Sequence, residues 1–285
     1  MDPIMSDQKT PLDFFYQWEK RVPNHPFLRQ PIDGTWITYT YKEAGTEIRK
    51  VATWLTSLAM PPQSNVAILS KNCAHWLMTD LAIMMAGHVS VPIYPILTAP
   101  AIRHLLEHSE SKVIFVGKLD QYEQQKPGIP EGLIQASFPH YGVPVENPWS
   151  EILKQSEATP GEARPAPDSL ATIMYSSGTT GFPKGVMLTH GAFGFVGERV
   201  WKYLKMDAHQ RYFSYLPLSH IAERGLLEMS ALASGSTISF AESLDTFAAN
   251  LQQEEPTIFG GVPRIWAKFQ EGVLTKLPQK NWMCC

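Results

Sequence analysis

Four aliphatic hydroxyls, three glycines and one lysine crowd into a single run, Tyr175-Ser176-Ser177-Gly178-Thr179-Thr180-Gly181-Phe182-Pro183-Lys184-Gly185. Glycine lets a backbone turn with positive φ and approach a ligand closely. Successive N–H groups in such turns form anion-binding nests. Ser176, Ser177, Thr179 and Thr180 add hydroxyl donors. Lys184 adds a mobile positive charge, and Pro183 stiffens the chain just before it. The guest that suits this set is a polyphosphate. A Gly/Ser/Thr loop without a ligand is the plain alternative, and the ordered spacing argues against it. The apolar stretch Leu170–Met174 precedes the run, Val186–Thr189 follows it, and a helical pattern starts at His190, so the run reads as a tight loop between two strands.

A P-loop NTPase is excluded. Its motif needs glycine directly before the lysine, Ser or Thr directly after it, and then a helix. Here Pro183 precedes Lys184, Gly185 follows, and a strand comes next.

A second constellation, Leu216–Arg224, lies at a strand end and a helix start. Ligands of open α/β sheets bind at the carboxyl ends of strands. Ser219 is placed to cap the helix and His220 to sit in its first turn, where the helix dipole favours the neutral ring. Such a ring donates one hydrogen bond to a carboxylate without becoming charged. From residue types alone, a histidine packed at the sheet edge is the competing reading.

The elements that must position these segments follow from pattern. A short helix spans Leu12–Arg21. The turn Asp33-Gly34 and the β-formers Trp36–Thr40 predict a hairpin. Tyr41–Leu58 has helical spacing, with Thr40 and Glu43 forming a capping box. Strands at Val66–Leu69, Val89–Tyr94 and Lys112–Val116 alternate with helices at Asn72–Gly87 and, capped by Thr98, up to His108. This alternation predicts a mostly parallel sheet covered on both faces. Residues 1–117 are expected as a first α/β unit and 118–167 as a peripheral connection, with a strand near Leu133 and a helix from Pro148 to Gln155. Residues 168–277 are expected as a second α/β unit, followed by an atypical tail, 278–285. In that second unit helices are expected at His190–Leu204, Ser219–Ala233 and Leu244–Gln253, with a last one opening at Pro263. Strands are expected at Arg211–Leu216, Gly235–Phe240 and Thr257–Phe259.

Composition narrows the classes further. The chain has 285 residues, 44% of them hydrophobic, and a net charge of −3. Nothing marks a nucleic-acid face. Asp80, Gly87, His88 and two prolines interrupt the most apolar stretch, Trp76–Leu97, which rules it out as a membrane span. Three cysteines, two of them adjacent at the terminus, form neither a disulfide framework nor a zinc site and suit a reducing, cytoplasmic setting.

Ser176–Gly185 is similar to the phosphate-binding signature of the adenylate-forming (AMP-binding) superfamily: acyl-CoA synthetases, luciferase-like enzymes and peptide-synthetase adenylation domains. Leu216–Arg224 resembles the second core motif of that superfamily, and its ending, His220 to Arg224, resembles the long-chain fatty-acid–CoA ligase version. The resemblance extends from about Thr10 to about Leu277. It implies an α/β fold, the N-terminal portion of the acyl-CoA synthetase/luciferase-like large domain. It implies that Ser176, Ser177, Gly178, Thr179, Thr180, Gly181 and Lys184 bind ATP phosphates and that Thr179 touches magnesium. It places His220, the catalytic residue, near the acyl carboxylate and the α-phosphate. Pro256–Trp266 looks like the family's strand and helix beside the acyl pocket, which implicates Gly260, Gly261 and Val262. An ordinary strand-to-helix turn accounts for those glycines equally well. Glu223 and Arg224 match the motif, with a salt bridge or a solvated face expected of them. Trp266 and Phe269 read as core.

By the same resemblance the substrates are a long-chain fatty acid, ATP with magnesium, and coenzyme A. Peripheral attachment to the cytoplasmic face of a membrane occurs among such relatives, but no segment here supports it, and the oligomeric state is open. An aryl- or amino-acid-adenylating enzyme and a non-catalytic nucleotide- or acyl-binding fragment are the alternatives. The family pattern continues with an aromatic-Gly-x-Thr-Glu segment, a Thr-Gly-Asp segment, a hinge and a small domain carrying a catalytic lysine. None of these occurs here, and Asn281–Cys285 does not resemble the family. The expectation is therefore the N-terminal part of a ligase, with little or no ligase activity by itself.

Overall fold

The structure, a computed structural model, describes residues 8–159, 161–176 and 183–276. Helix α1 (Pro11–Arg21) starts at Thr10, whose hydroxyl accepts the Asp13 N–H while the Asp13 carboxylate accepts the Thr10 N–H. Strands β1 (Pro26–Ile32) and β2 (Thr35–Thr40) form the expected hairpin. Asp33 and Gly34 turn it with φ of +48° and +75°, the pair of positive values a tight two-residue turn needs. Helix α2 (Tyr41–Ser57) carries the expected capping box of Thr40 and Glu43.

Three strands then alternate with two helices: β3 (Asn65–Leu69), α3 (Ala74–Met85), β4 (Val89–Ile93), α4 (Ala99–His108) and β5 (Val113–Val116). Helix α3 is buried from Ala74 to Met84, as its all-round apolar character demands. Thr98 stands at the N-cap of α4 but makes no side-chain cap bond; Pro100 in the first turn presets the backbone instead. The weakly patterned stretch that follows contains α5 (Tyr122–Gln125), β6 (Ile134–Ser137), β7 (Asn147–Pro148) and α6 (Trp149–Gln155). Both strands extend the sheet beyond β5, and Phe138 and Trp149 are buried against Phe115. Strands this short carry too few residues to show alternation.

The remaining chain supplies β8 (Leu170–Ser176), β9 (Lys184–Thr189), α7 (His190–Tyr203) and β10 (Arg211–Ser214). A π-helical segment, Ala222–Glu228, runs into α8 (Met229–Ser234) and is followed by β11 (Thr237–Phe240), α9 (Phe247–Glu254) and α10 (Pro263–Lys276). The strand expected at Thr257–Phe259 reduces to one bridge between Ile258 and Tyr212.

Two sheets result. One has the order β7-β6-β5-β3-β4-β8-β9 and the other β10-β11-β1-β2. Every neighbouring pair is parallel except β8–β9 and β1–β2, so the expected mostly parallel, helix-covered α/β fold holds. Sheet membership crosses position 167/168. Strands β8 and β9 join the first sheet through β4, while the N-terminal hairpin joins the second sheet through β11. No helix among the described residues is long and apolar enough to cross a membrane.

Candidate functional site

Strands β8 and β9 pair antiparallel with Ser176 opposite Lys184 and Tyr175 opposite Gly185, so the chain leaves β8 and re-enters β9 at the carboxyl end of β8. Gly185 is required by contact: a Cβ there would come within 2.7 Å of the Ile173 side chain. Tyr175 is buried, and its hydroxyl is 2.7 Å from His108 Nδ1 at the end of α4, which anchors the base of the hairpin. Nothing in the local pattern singled out His108. Ser176 and Lys184 are exposed, and no carboxylate among the described residues pairs with Lys184. Ser177, Gly178, Thr179, Thr180 and Gly181 lie outside the described residues, and with them the expected magnesium contact. Among the described residues no group of three or more His, Cys, Asp or Glu could hold a metal.

After β10 the chain turns through Tyr215–Ser219 before its helix begins. His220 therefore precedes the helix rather than lying in its first turn. Ser219, expected as the cap, has a buried hydroxyl with no partner among the described residues. The cap is His220 itself, whose Nδ1 accepts the Ala222 N–H at 3.1 Å. An accepting Nδ1 places the proton of the neutral ring on Nε2. That nitrogen, on an exposed residue, is available to donate to an anion.

Two clamps hold this segment. Asn72, just past β3, donates to Ser214 Oγ (2.8 Å) and to the Leu216 carbonyl (2.6 Å), and accepts the Leu218 N–H (3.0 Å). Arg224 is fully buried. Its guanidinium donates to Asp80 of α3 (2.5 and 2.7 Å), Ser90 of β4 (2.8 Å) and Thr172 of β8 (2.6 Å), and faces the Trp76 and Phe193 rings. The expected salt bridge thus ties the second segment to α3 in the interior, and the hydrogen bond to Thr172 ties it to the strand that carries the hairpin. Asp80 was the readable signal: a lone acid in a wholly buried helix needs a cationic partner. Asn72 gave no comparable signal.

Glu223 is also buried and accepts the Tyr215 N–H at 3.1 Å. Burial pushes its carboxyl up to about 8, against the opposing hydrogen bonds from Ser214 and Tyr215. Glu228, fully buried with neither oxygen partnered among the described residues, is raised well above the ordinary carboxylate range by the same cause.

Strands β3, β4 and β8 run parallel, so Asn72 and Ser176 leave the first sheet at one edge, and Asn72 draws the approach to His220 to that edge. The geometry thus gathers the hairpin base and the His220 segment. The third segment stands differently. Gly260 faces open space, and Val262 is 39% exposed. A Cβ on Gly261 would meet the Trp266 ring at 2.8 Å, and Trp266 Nε1 donates to the Gly261 carbonyl at 3.0 Å. The close approach that this glycine permits is used by the chain's own indole. Trp266 is 50% exposed rather than core, and sits with Phe259 and Phe269 in an aromatic cluster at the surface.

Comparison with known proteins adds to this geometry. The family model described as "AMP-binding enzyme" matches residues 15–282. The human long-chain-fatty-acid–CoA ligase ACSBG2 is 29% identical over 279 residues, covering 92% of this chain and 42% of that protein. The peroxisomal long chain acyl-CoA synthetase 6 of Arabidopsis thaliana is 33% identical over 269 residues, covering 86% of this chain and 37% of the relative. The chain therefore spans less than half the length of these relatives. Among solved structures, the inhibitor-bound N-terminal domain of FACL13 from Mycobacterium tuberculosis superposes with a TM-score of 0.76 at 23% identity, covering 92% of this chain and 65% of that one. An anthranilate CoA ligase, AuaEII, in complex with anthranoyl-AMP gives a TM-score of 0.75 at 20% identity, covering 88% of this chain and 49% of that one. These structural likenesses establish the fold.

Proposed function

The chain belongs to the AMP-binding enzyme family, and on that premise we propose that it supplies the phosphate-binding and acyl-side surfaces of an ATP-dependent long-chain fatty-acid–CoA ligase. In that reaction a fatty carboxylate oxygen attacks the ATP α-phosphorus, and the bond to pyrophosphate breaks. The thiolate of coenzyme A then attacks the acyl-adenylate carbonyl and AMP leaves. The first step brings anions together, so it needs charge neutralisation and in-line positioning. Lys184 and the hydroxyls and N–H groups of the hairpin, Ser176 through Gly181, take the phosphates. His220 donates its Nε2 proton to the carboxylate or α-phosphate. Gly260, Gly261 and Val262 border the acyl chain. Magnesium, when bound with ATP, neutralises phosphate charge, and Thr179 is the residue assigned to it. A cytoplasmic setting goes with this reading.

One observation carries the proposal. Lys184, with no carboxylate partner among the described residues, stands opposite Ser176 across the base of the hairpin, while Asn72 and Arg224 tie the His220 segment to the same sheet. The long-chain ligase names among the relatives favour a fatty acid over an aryl or amino acid.

The test is equilibrium binding of ATP to the 285-residue chain, followed by acid-dependent ATP–pyrophosphate exchange. Lys184→Ala is expected to weaken ATP binding about tenfold or more, the loss of one charge-assisted contact, and to leave the thermal transition in place. Unchanged ATP affinity in that variant would refute the phosphate-loop assignment. Exchange supported by palmitate but not by benzoate or amino acids would show that this part of the site suffices for adenylation and that the chain's expected inactivity is wrong. ATP binding with little or no exchange is the expected outcome for this part of a ligase acting alone.

A further inference from the structure

The second sheet has an opposite edge with chemistry of its own. Strands β1, β11 and β10 are parallel neighbours, and they begin there at Pro26, Thr237 and Arg211. Strand polarity thus puts this edge away from the His220 segment. A cavity of about 300 Å³ opens at it, lined by His25, Arg29, His209, Arg211, Thr237 and Glu254 among others.

The charges in this cavity do not balance. Arg211 donates from Nε (3.1 Å) and Nη2 (2.6 Å) to a neutral acceptor, the Glu255 carbonyl, and has no carboxylate partner among the described residues. Arg29 pairs with Glu254 at 3.0 Å, but its Nε is buried with no partner among the described residues. Glu254 is the one carboxylate in the lining; its other oxygen already accepts from Ser239 Oγ at 2.5 Å. The His25 and His209 rings lie 4.7 Å apart. His209 Nδ1 is 2.9 Å from the Gly235 carbonyl, which only accepts, so that nitrogen carries the proton and Nε2 is left over. His209 holds a left-handed backbone, φ +64°, a conformation that costs energy for a residue with a Cβ. Trp18 supports the ring edge-on at 5.3 Å, and Arg21 stacks on Trp18.

We propose that this cavity binds a phosphate-type dianion, either free phosphate or a soluble phosphate monoester. Two guanidinium groups and two imidazoles converge on one opening, and planar arginine forks match phosphate oxygens. The same guanidinium charges exclude a metal cation. His25 is lowered from the usual histidine range by burial and then by its neighbour His209. A bound dianion opposes that lowering. The charged groups that line the cavity with the pair are Arg29, Glu254 and, from β10, Arg211, while Arg21 lies behind Trp18.

The experiment follows the ring protons of His25 and His209 by NMR through a pH titration of the 285-residue chain, with and without millimolar inorganic phosphate or glycerol 3-phosphate. The expected result is a saturable upward move of both histidines by roughly one unit, the size an opposite charge within a few Å produces. Arg211→Gln, which keeps a donor for the Glu255 carbonyl, should abolish the response, and Lys184→Ala should leave it intact. No saturable shift with either probe, or a response lost in Lys184→Ala rather than Arg211→Gln, overturns the proposal. No nucleotide or fatty acid enters this readout, so it stands or falls independently of the ligase reading.

Discussion

At Gly261 the absence of a side chain has a definite structural use. The Trp266 indole lies where a Cβ would project, and its N–H closes onto the Gly261 carbonyl. Gly261→Ala forces either the ring or the start of α10 to move, and overpacking of this kind costs roughly 1–3 kcal/mol. The expected outcome is a lowered Tm for Gly261→Ala that is largely restored when Trp266→Ala is added. Equal destabilisation with and without the indole would mean that the backbone, not the ring, sets the requirement. The two glycines were legible in the sequence as a place of close approach. That the partner is the chain's own Trp266 was not, because the sequence does not say which way an indole folds back.

The π-helical segment Ala222–Glu228 shows a balance at the scale of one element. Glu223, Arg224 and Glu228 all turn to the interior from this one segment. Arg224 ties this segment to α3, β4 and β8 at once. Arg224→Ala leaves Asp80 charged and unpaired in the interior, which costs about 3–5 kcal/mol. Pairing that change with Asp80→Leu should recover a large part of the loss. Urea unfolding midpoints of the single and double variants measure this. A loss below about 1 kcal/mol for Arg224→Ala would show that the tie contributes little to stability. The motif residues beside His220 thus carry structure, and His220 itself caps the helix it precedes.

Over the whole molecule the buried titrating groups oppose one another. Burial lowers the His75 imidazole to about 3 and His190 to about 4, from an ordinary 6.5. Between those values the unfolded chain binds more protons, so stability falls as pH drops below 6.5. Glu223 is displaced the other way, from 4.5 to about 8. The folded chain holds that proton more tightly, so the contribution is fully present below 4.5 and is lost as pH rises toward 8. Above 6.5 the histidines are neutral in both states and only the carboxyls act. Stability is therefore expected to decline between pH 6.5 and 8, by about 2 kcal/mol for Glu223 alone. Glu223→Gln should flatten that limb in Tm measured against pH, and an unchanged slope would assign the decline to other groups.

By itself the sequence determined what depends on neighbours within a few residues. The capping box at Thr40, the Asp33-Gly34 turn, the alternation of strands and helices, the loop between two strands after Tyr175 and the resemblance to the AMP-binding family were all readable there. Tertiary structure decided the rest. It placed β8 and β9 in the first sheet and the N-terminal hairpin in the second. It also gave Asn72 and Asp80 their partners, 142 and 144 residues away. Contacts across such separations are opposed by chain entropy until the core has formed. They are then chosen by burial: an acid sealed inside α3 must find a cation, and a loop at a strand end must satisfy its backbone. Local pattern does not name that partner; the packed interior does.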